Sequence, residues 1–366
     1  IDGTQFLNQS ESNVTVAGSV LRWENSSPAL CLDVSGPEKG RIGPTSVASG
    51  NLDGSVLIHN METGSLIKEL KGHEKEVTTI LYKDNYVISG SVDSTLRVWN
   101  LEGEIFPKSG TFEGHEKKIT GLVGIHGNRT RNPLIVSSSK DGFIRLWDLF
   151  DSTCLQAFEG HFSGISCLIL EGNNRNETNN NEKAEELLSG SDSGELKLWS
   201  LKGSEISEVR SFGGPESDKE ITGCVFIGQN SIASHSTDSV IRQWDSRVRC
   251  AIGTLKGHTG AINCLKVCPN EMGQHLLASG SNDSTVLIWD RRMASKRMLF
   301  TLRGHHGAVT SLCETGSALY SGSNDCRLVE WDCKNGSMSK TFLGHTDKIN
   351  AIGQSGGKVV TASSDG

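Results

Sequence analysis

Four times along this 366-residue chain a histidine, a serine and an aspartate recur in the same order, each set closed by a tryptophan. The sets are His73, Ser89, Asp93 and Trp99; His115, Ser137, Asp141 and Trp147; His258, Ser279, Asp283 and Trp289; and His305, Ser321, Asp325 and Trp331. Aspartate, histidine and serine are the groups of nucleophilic acyl transfer, in which a carboxylate orients a base and the base activates a hydroxyl. A hydrolase needs one such set. Four at one register behave as architecture. The chain carries no nucleophile elbow, no phosphate-binding glycine loop and no metal-ligand cluster. The sequence therefore reads as non-catalytic, with no cofactor and no metal.

The elements that hold these residues repeat as well. Gly-His pairs stand at Gly72-His73, Gly114-His115, Gly160-His161, Gly257-His258, Gly304-His305 and Gly344-His345. Tryptophans close the units at Trp99, Trp147, Trp199, Trp244, Trp289 and Trp331, with spacings of 48, 52, 45, 45 and 42 residues. The cleanest unit, residues 257–292, holds three short apolar runs, AINCLKV, HLLASG and TVLIW, separated by polar turns. Strand-like alternation as in Thr95–Trp99 presents successive side chains to two opposite faces. The preceding turn, Val92-Asp93-Ser94, suits a tight hairpin, since Asp and Ser bond back to nearby backbone.

A period of about 40–45 residues with Gly-His early and Trp-Asp late resembles the WD40 β-propeller family, over essentially the whole chain. The resemblance implies an all-β fold of four-stranded antiparallel blades and a single domain spanning 1–366. It also implies that His, Ser, Asp and Trp of each set form one chain of hydrogen bonds. Three units depart from the pattern. In the fourth, Ser193 stands where Asp is expected and Asp192 lies one place early. The fifth has Asp238 and Trp244 but no Gly-His, and the first has His59 in place of Trp. These three are expected to be looser or specialised.

Units close at Asn60, Asn100, Asp148, Ser200, Asp245, Asp290 and Asp332. Residues 1–24 read as the last two strands of a further blade and 344–366 as its first two. The expectation is eight blades, with seven as the alternative, and a ring closed by pairing the terminal strands, which leaves no open sheet edge. The Asn-rich tract 173–183 reads as a disordered insertion, too polar to order itself.

Lys and Arg number 36 against 43 Asp and Glu, a net charge of −7, which makes a nucleic-acid duplex a poor main partner. No apolar run approaches the roughly 18 residues of a membrane span. Of the ten cysteines, Cys31, Cys167 and Cys264 fall at equivalent places in different units, too far apart to bridge one another. They read as core thiols of a cytoplasmic or nuclear protein. The first residue is Ile, so the chain reads as a fragment or a processed form.

Function is then expected to be protein binding by a rigid platform. The family's usual site is the narrow face built from the turns before each third strand and the loops around each Gly-His. Leu52, Val92 and Lys140 precede turn aspartates, and Phe162 follows His161. Phe162 enters the blade beside Lys140, and an exposed aromatic on a loop is the kind of residue that anchors a partner. A separate signal is Trp244-Asp245-Ser246-Arg247 and Trp289-Asp290-Arg291-Arg292. Both fit W-D-x-R, which resembles the box of substrate receptors that dock on the propeller adaptor of cullin-four ubiquitin ligases. Arg247 and Arg292 would there grip a partner carboxylate.

Overall fold

The structure, a computed structural model, describes residues 25, 27–35, 45–83, 86–101, 110–125, 133–171, 185–213, 219–228, 230–268, 276–291, 298–315 and 318–366. Every regular element among them is a β-strand. Seven antiparallel sheets of four strands follow one another along the chain, each with its strands in sequence order. The first blade runs from Ala29–Val34 to Leu66–Leu70, the fourth from Ile165–Leu170 to Glu205–Phe212, and the seventh from Val309–Thr315 to Ser337–Phe342.

The second strand of a blade shows why the blades stack. In Tyr86–Ser91 the Ser-Gly-Ser run is fully buried, and a Cβ on Gly90 would lie 2.6 Å from a methyl carbon of Ile119, which opens the next blade. Gly50 faces Val77, Gly190 faces Ile221, Gly280 faces Val309 and Gly322 faces Ile349 in the same way. Each glycine thus gives the next blade's first apolar residue its seat.

The first strand of each blade carries a β-bulge at its second residue, seen as register shifts between Val77 and Thr79, Ile221 and Gly223, Ile262 and Cys264, and Val309 and Ser311. A bulge re-aims the extra side chain, here toward the neighbouring blade. Thr78 Oγ1 donates to the carbonyl of Ile119 at 2.6 Å, Thr222 Oγ1 to Ile262 at 2.8 Å and Asn263 Nδ2 to Val309 at 2.8 Å. Ser166 makes the same bond to Ile221. Apolar cores fill the seams between sheets, as where Ile144 and Leu146 of the third blade meet Leu168, Leu187 and Trp199 of the fourth.

The count of blades corrects the expectation of eight. Seven sheets are four-stranded, and the last sheet, Ile349–Ser355 with Lys358–Ser363, has two strands only. This hairpin lies between the seventh and first blades. Thr310 Oγ1 reaches the Ile349 carbonyl at 2.6 Å, and Asn350 Nδ2 reaches that of Ala29 at 2.7 Å across 321 positions of sequence. Among the described residues no third or fourth strand joins the hairpin, and a cavity of about 440 Å³ lined by Val47, His59, Met61, Leu328, Phe342 and Val360 lies beside it. The protein is therefore a seven-bladed propeller with a closing hairpin. The expected eighth unit draws on strand-like runs in 1–24, which lie outside the described residues, as does the Asn-rich tract 173–183.

Replacing Asn350 by Ala removes its bonds to the Ala29 carbonyl and the Ser364 hydroxyl. The expected cost is about 1–3 kcal/mol, read as a lower urea midpoint at unchanged slope.

Candidate functional site

In four blades the His, Ser, Asp and Trp side chains come together. In the second blade His73 Nδ1 lies 2.8 Å from Asp93 Oδ2, His73 Nε2 lies 2.8 Å from Ser89 Oγ, and Trp99 Nε1 donates to the same Oγ at 2.9 Å. The third blade repeats this with His115, Asp141, Ser137 and Trp147 at 2.8 Å throughout. His258, Asp283, Ser279 and Trp289 do so in the sixth, also at 2.8 Å, and His305, Asp325, Ser321 and Trp331 in the seventh at 2.7–2.9 Å.

Donor and acceptor roles follow from the chemistry. An ionised carboxylate only accepts and an indole only donates. Nδ1 must therefore carry the proton, Nε2 accepts the serine hydroxyl, and the serine oxygen accepts from tryptophan. Burial holds His73 below its ordinary range despite Asp93, which keeps the imidazole neutral. Burial also pushes Asp141 and Asp325 up, but their histidine partners and the backbone N–H groups aimed at them outweigh it, and both carboxyls lie at about 2. The Asp–His–Ser order is that of a hydrolase triad. Ser89, Ser137, Ser279 and Ser321 are nevertheless 0% exposed and already bonded to tryptophan. No acyl group can reach them.

Two of the irregular blades solve the same problem differently. In the fourth, His161 Nδ1 finds Glu195 Oε2 at 2.9 Å, while His161 Nε2 and Trp199 Nε1 meet Ser189 Oγ at 2.7 and 2.8 Å. Glu195 stands where Thr95 stands in the second blade, and its longer side chain reaches back to the imidazole. An acidic residue two places after the missing turn Asp was the available signal. In the fifth, Asp238 takes Arg242 at 2.6 Å in place of a histidine, and Trp244 still donates to Ser234 at 2.9 Å. In the closing hairpin His345 bonds Asp365 at 3.0 Å and Thr361 at 2.7 Å. His59 of the first blade is buried, and burial holds it below the ordinary histidine range.

One backbone bond orders a whole face. The N–H of the residue before each turn aspartate donates to the carbonyl just before the first strand of its own blade: Leu52 to Pro28, Val92 to Glu76, Lys140 to Lys118, Thr237 to Glu220, Asn282 to Ala261. Leu52, Val92 and Lys140 thus share one face but sit on separate blades. Phe162 lies on the same face and is 94% exposed, against 48% for Leu52, while Val92 is half-buried. Lys140 is not a free cation. It pairs with Asp192 of the fourth blade and lies 3.8 Å from Glu220 of the fifth. Gly164 sits against this pair, where a Cβ would be 2.7 Å from both the Lys140 side chain and Asp192 Oδ2. The Phe162 loop therefore rests directly on the ion pair.

The WD40 family, described as WD domain, G-beta repeat, matches residues 64–100, 106–148, 152–200, 249–290 and 296–332. The chain belongs to this family. The unmatched stretches include the first three strands of the first blade, with His59 for Trp, and of the fifth, with Arg242 in place of the histidine. A ribosome biogenesis protein WDR12 homolog of Trichoplax adhaerens is 26% identical over 82% of this chain and 76% of its own length. A CCR4-associated factor 4 homolog of Candida glabrata is 26% identical over 61% of this chain, and a nuclear distribution protein PAC1 of Arthroderma otae 26% over 62%. The chain spans 33% and 52% of the length of these two. Among solved structures, the computationally designed Ika8 protein aligns with a TM-score of 0.73 at 27% identity, over 94% of this chain and 95% of that one.

The Trp-Asp pairs that begin the W-D-x-R quartets of this WD40 chain end third strands, so Asp245 and Asp290 lie on the face opposite the turns. Arg247 is exposed, and its guanidinium grips its own Asp245, Nε to Oδ1 at 2.8 Å and Nη2 to Oδ2 at 2.6 Å. That fork drives the Asp245 carboxyl down to about 2. Arg292 lies outside the described residues. Its neighbour Arg291 donates to the Ile227 carbonyl. Among the described residues no three His, Cys, Asp or Glu side chains form a metal site, and no helix is long and apolar enough to cross a membrane.

Two outcomes follow. Asp141→Asn loses the charge that holds His115 and the Glu116 and Phe143 N–H groups, at an expected cost of about 1–3 kcal/mol by urea denaturation. His235 replaces the seat glycine in the fifth blade and bonds Thr222 and the Ile262 carbonyl at 2.8 and 2.9 Å. Burial pulls it down to about 4. The unfolded chain binds that proton first, near pH 6.5, so this contribution to stability is full above about 6.5 and falls as pH drops toward 4. In His235→Gly the urea midpoint should decline less over that window.

Proposed function

We propose that this chain is a protein-binding platform whose partner docks on the turn-bearing face over the third and fourth blades, with Phe162 as the anchor. The observation that carries this is the 94% exposure of Phe162 on a loop seated on the Lys140–Asp192 pair. A large exposed aromatic on a fixed base is the usual centre of binding energy at an interface. Leu52 and Val92 are secondary contacts on the same face, and Lys140 acts by holding the loop. Ten free cysteines and the nuclear distribution protein among the relatives support action in the cytoplasm or nucleus.

The narrower role, substrate receptor of a cullin-four ubiquitin ligase, has only the W-D-x-R quartets behind it, and Arg247 spends its fork on Asp245. Pull-down with the ligase's propeller adaptor, comparing wild type with Arg247→Ala/Arg292→Ala, decides it. Capture that ignores both arginines, or no capture, ends that reading.

For the platform itself, a photo-crosslinking phenylalanine analogue at position 162 should trap a discrete partner. Phe162→Ala should weaken capture of that partner by about tenfold or more. Val209→Ala, an exposed apolar site on an outer strand, should leave capture unchanged. Equal loss from both substitutions, or from neither, would move the site elsewhere.

A further inference from the structure

The seam between the fourth and fifth blades holds two thiols face to face. Cys167 of Ile165–Leu170 and Cys224 of Ile221–Gly228 place their sulfurs 3.6 Å apart, across 57 positions of sequence. Both are free. The register makes this pairing specific. Cys224 is the fourth residue of its innermost strand, where other blades carry Ile80, Leu122, Leu168, Leu265 and Leu312. Cys31 and Cys264 share the Cys167 place in the first and sixth blades, yet the next blade offers them Ile80 and Leu312. Among the described residues, the fourth seam alone sets a second thiol opposite this place; Cys268 and Cys333 pair at a different register in the sixth and seventh blades.

We propose that Cys167 and Cys224 form an inter-blade disulfide when the protein meets a peroxide, a covalent modification site that staples two blades together. The surroundings assign the roles. The Cys224 thiol beside Cys167 holds Cys167 below the ordinary thiol range against the effect of burial, helped by the Gly190 N–H, the Ser166 hydroxyl and the Lys140 ammonium. Cys224 is pushed up by that neighbour and by burial. It sits in an apolar pocket with Leu188, Ile221, Ile232 and Trp244. Cys167 is half-buried, so a molecule as small as a hydroperoxide reaches it first. Its thiolate attacks the peroxide, forming an S–O bond as O–O breaks, and the leaving hydroxide departs as water after taking a proton. The Cys224 thiol then attacks the sulfenic sulfur. An S–S bond forms, S–O breaks, and the Cys224 proton leaves in a second water. Two electrons pass from the thiols to the peroxide. Closing the gap to a bond of about 2.05 Å needs an approach of about 1.5 Å. The same residues in the other seams are internal controls, since burial pushes Cys31 and Cys264 up to about 12.

The test is a non-reducing peptide map of the whole chain after stoichiometric hydrogen peroxide and blocking with N-ethylmaleimide. The expected product joins the Cys167 and Cys224 peptides, about 2 Da lighter than their reduced sum, and dithiothreitol reverses it. Oxidised wild type should also melt several degrees above reduced wild type, because the link removes freedom from the unfolded chain. In Cys224→Ser, Cys167 should stop at a sulfenic acid that dimedone tags, and in Cys167→Ser both link and tag should vanish. The wild-type map needs no variant, so a misfolded variant does not blunt it. No link at this seam, or faster reaction of Cys31 or Cys264 than of Cys167, overturns the proposal.

Discussion

Thr310 of the seventh blade donates to the carbonyl of Ile349, and Asn350 in turn donates to that of Ala29. The ring depends on contacts of this kind, passed from blade to blade across most of its seams. A sheet of four strands with two apolar faces has no stable existence alone, since each face must be buried against a neighbour. In the second, fourth, fifth, sixth and seventh blades and in the hairpin, the bulge turns a Thr, Ser or Asn onto the carbonyl that opens the next blade. Where a seat glycine stands, it lets that blade close in. The first blade carries Leu30 at the bulge instead, and Thr120 of the third meets Ser138. Because the closing hairpin bonds both the seventh blade and the first, neither of these is terminal.

The second constraint works within a blade. Histidine, serine and tryptophan link the lead-in loop to the second and third strands, and a carboxylate fixes which nitrogen of the imidazole carries the proton. All the partners are buried or half-buried, where an unmet donor would cost more than the bond gains. The motif therefore tolerates exchange of a member only if the bond survives. Glu195 for Asp and Thr361 for Ser keep it, and in the fifth blade Arg242 supplies the N–H donor in place of histidine.

Much of this could be read from the chain, because the spacing is enforced by short, fixed distances. Trp, turn Asp and second-strand Ser lie within one hairpin, so their separations hardly vary, and third strands end at Asn60, Asn100, Asp148, Asp245, Asp290 and Asp332, where the units were seen to close. What was not legible depends on contacts between segments far apart in sequence. The blade count turns on how residues near 29 meet residues near 350. The partner of Lys140 lies 52 residues away. Sequence spacing set Cys167 beside its counterparts Cys31 and Cys264, whereas space sets it beside Cys224.

The fourth blade's exchange reaches beyond its own hydrogen bonds. In the second, third, sixth and seventh blades and in the hairpin the turn carboxylate is occupied with histidine. With Glu195 in that role, Ser193 holds the turn place, and Asp192, one residue earlier, faces outward and clamps Lys140. That carboxylate ties adjoining blades together, directly under the loop of Phe162. The aromatic ring is then presented from a preorganised base, and a partner that closes on it pays little conformational entropy for ordering the loop beneath.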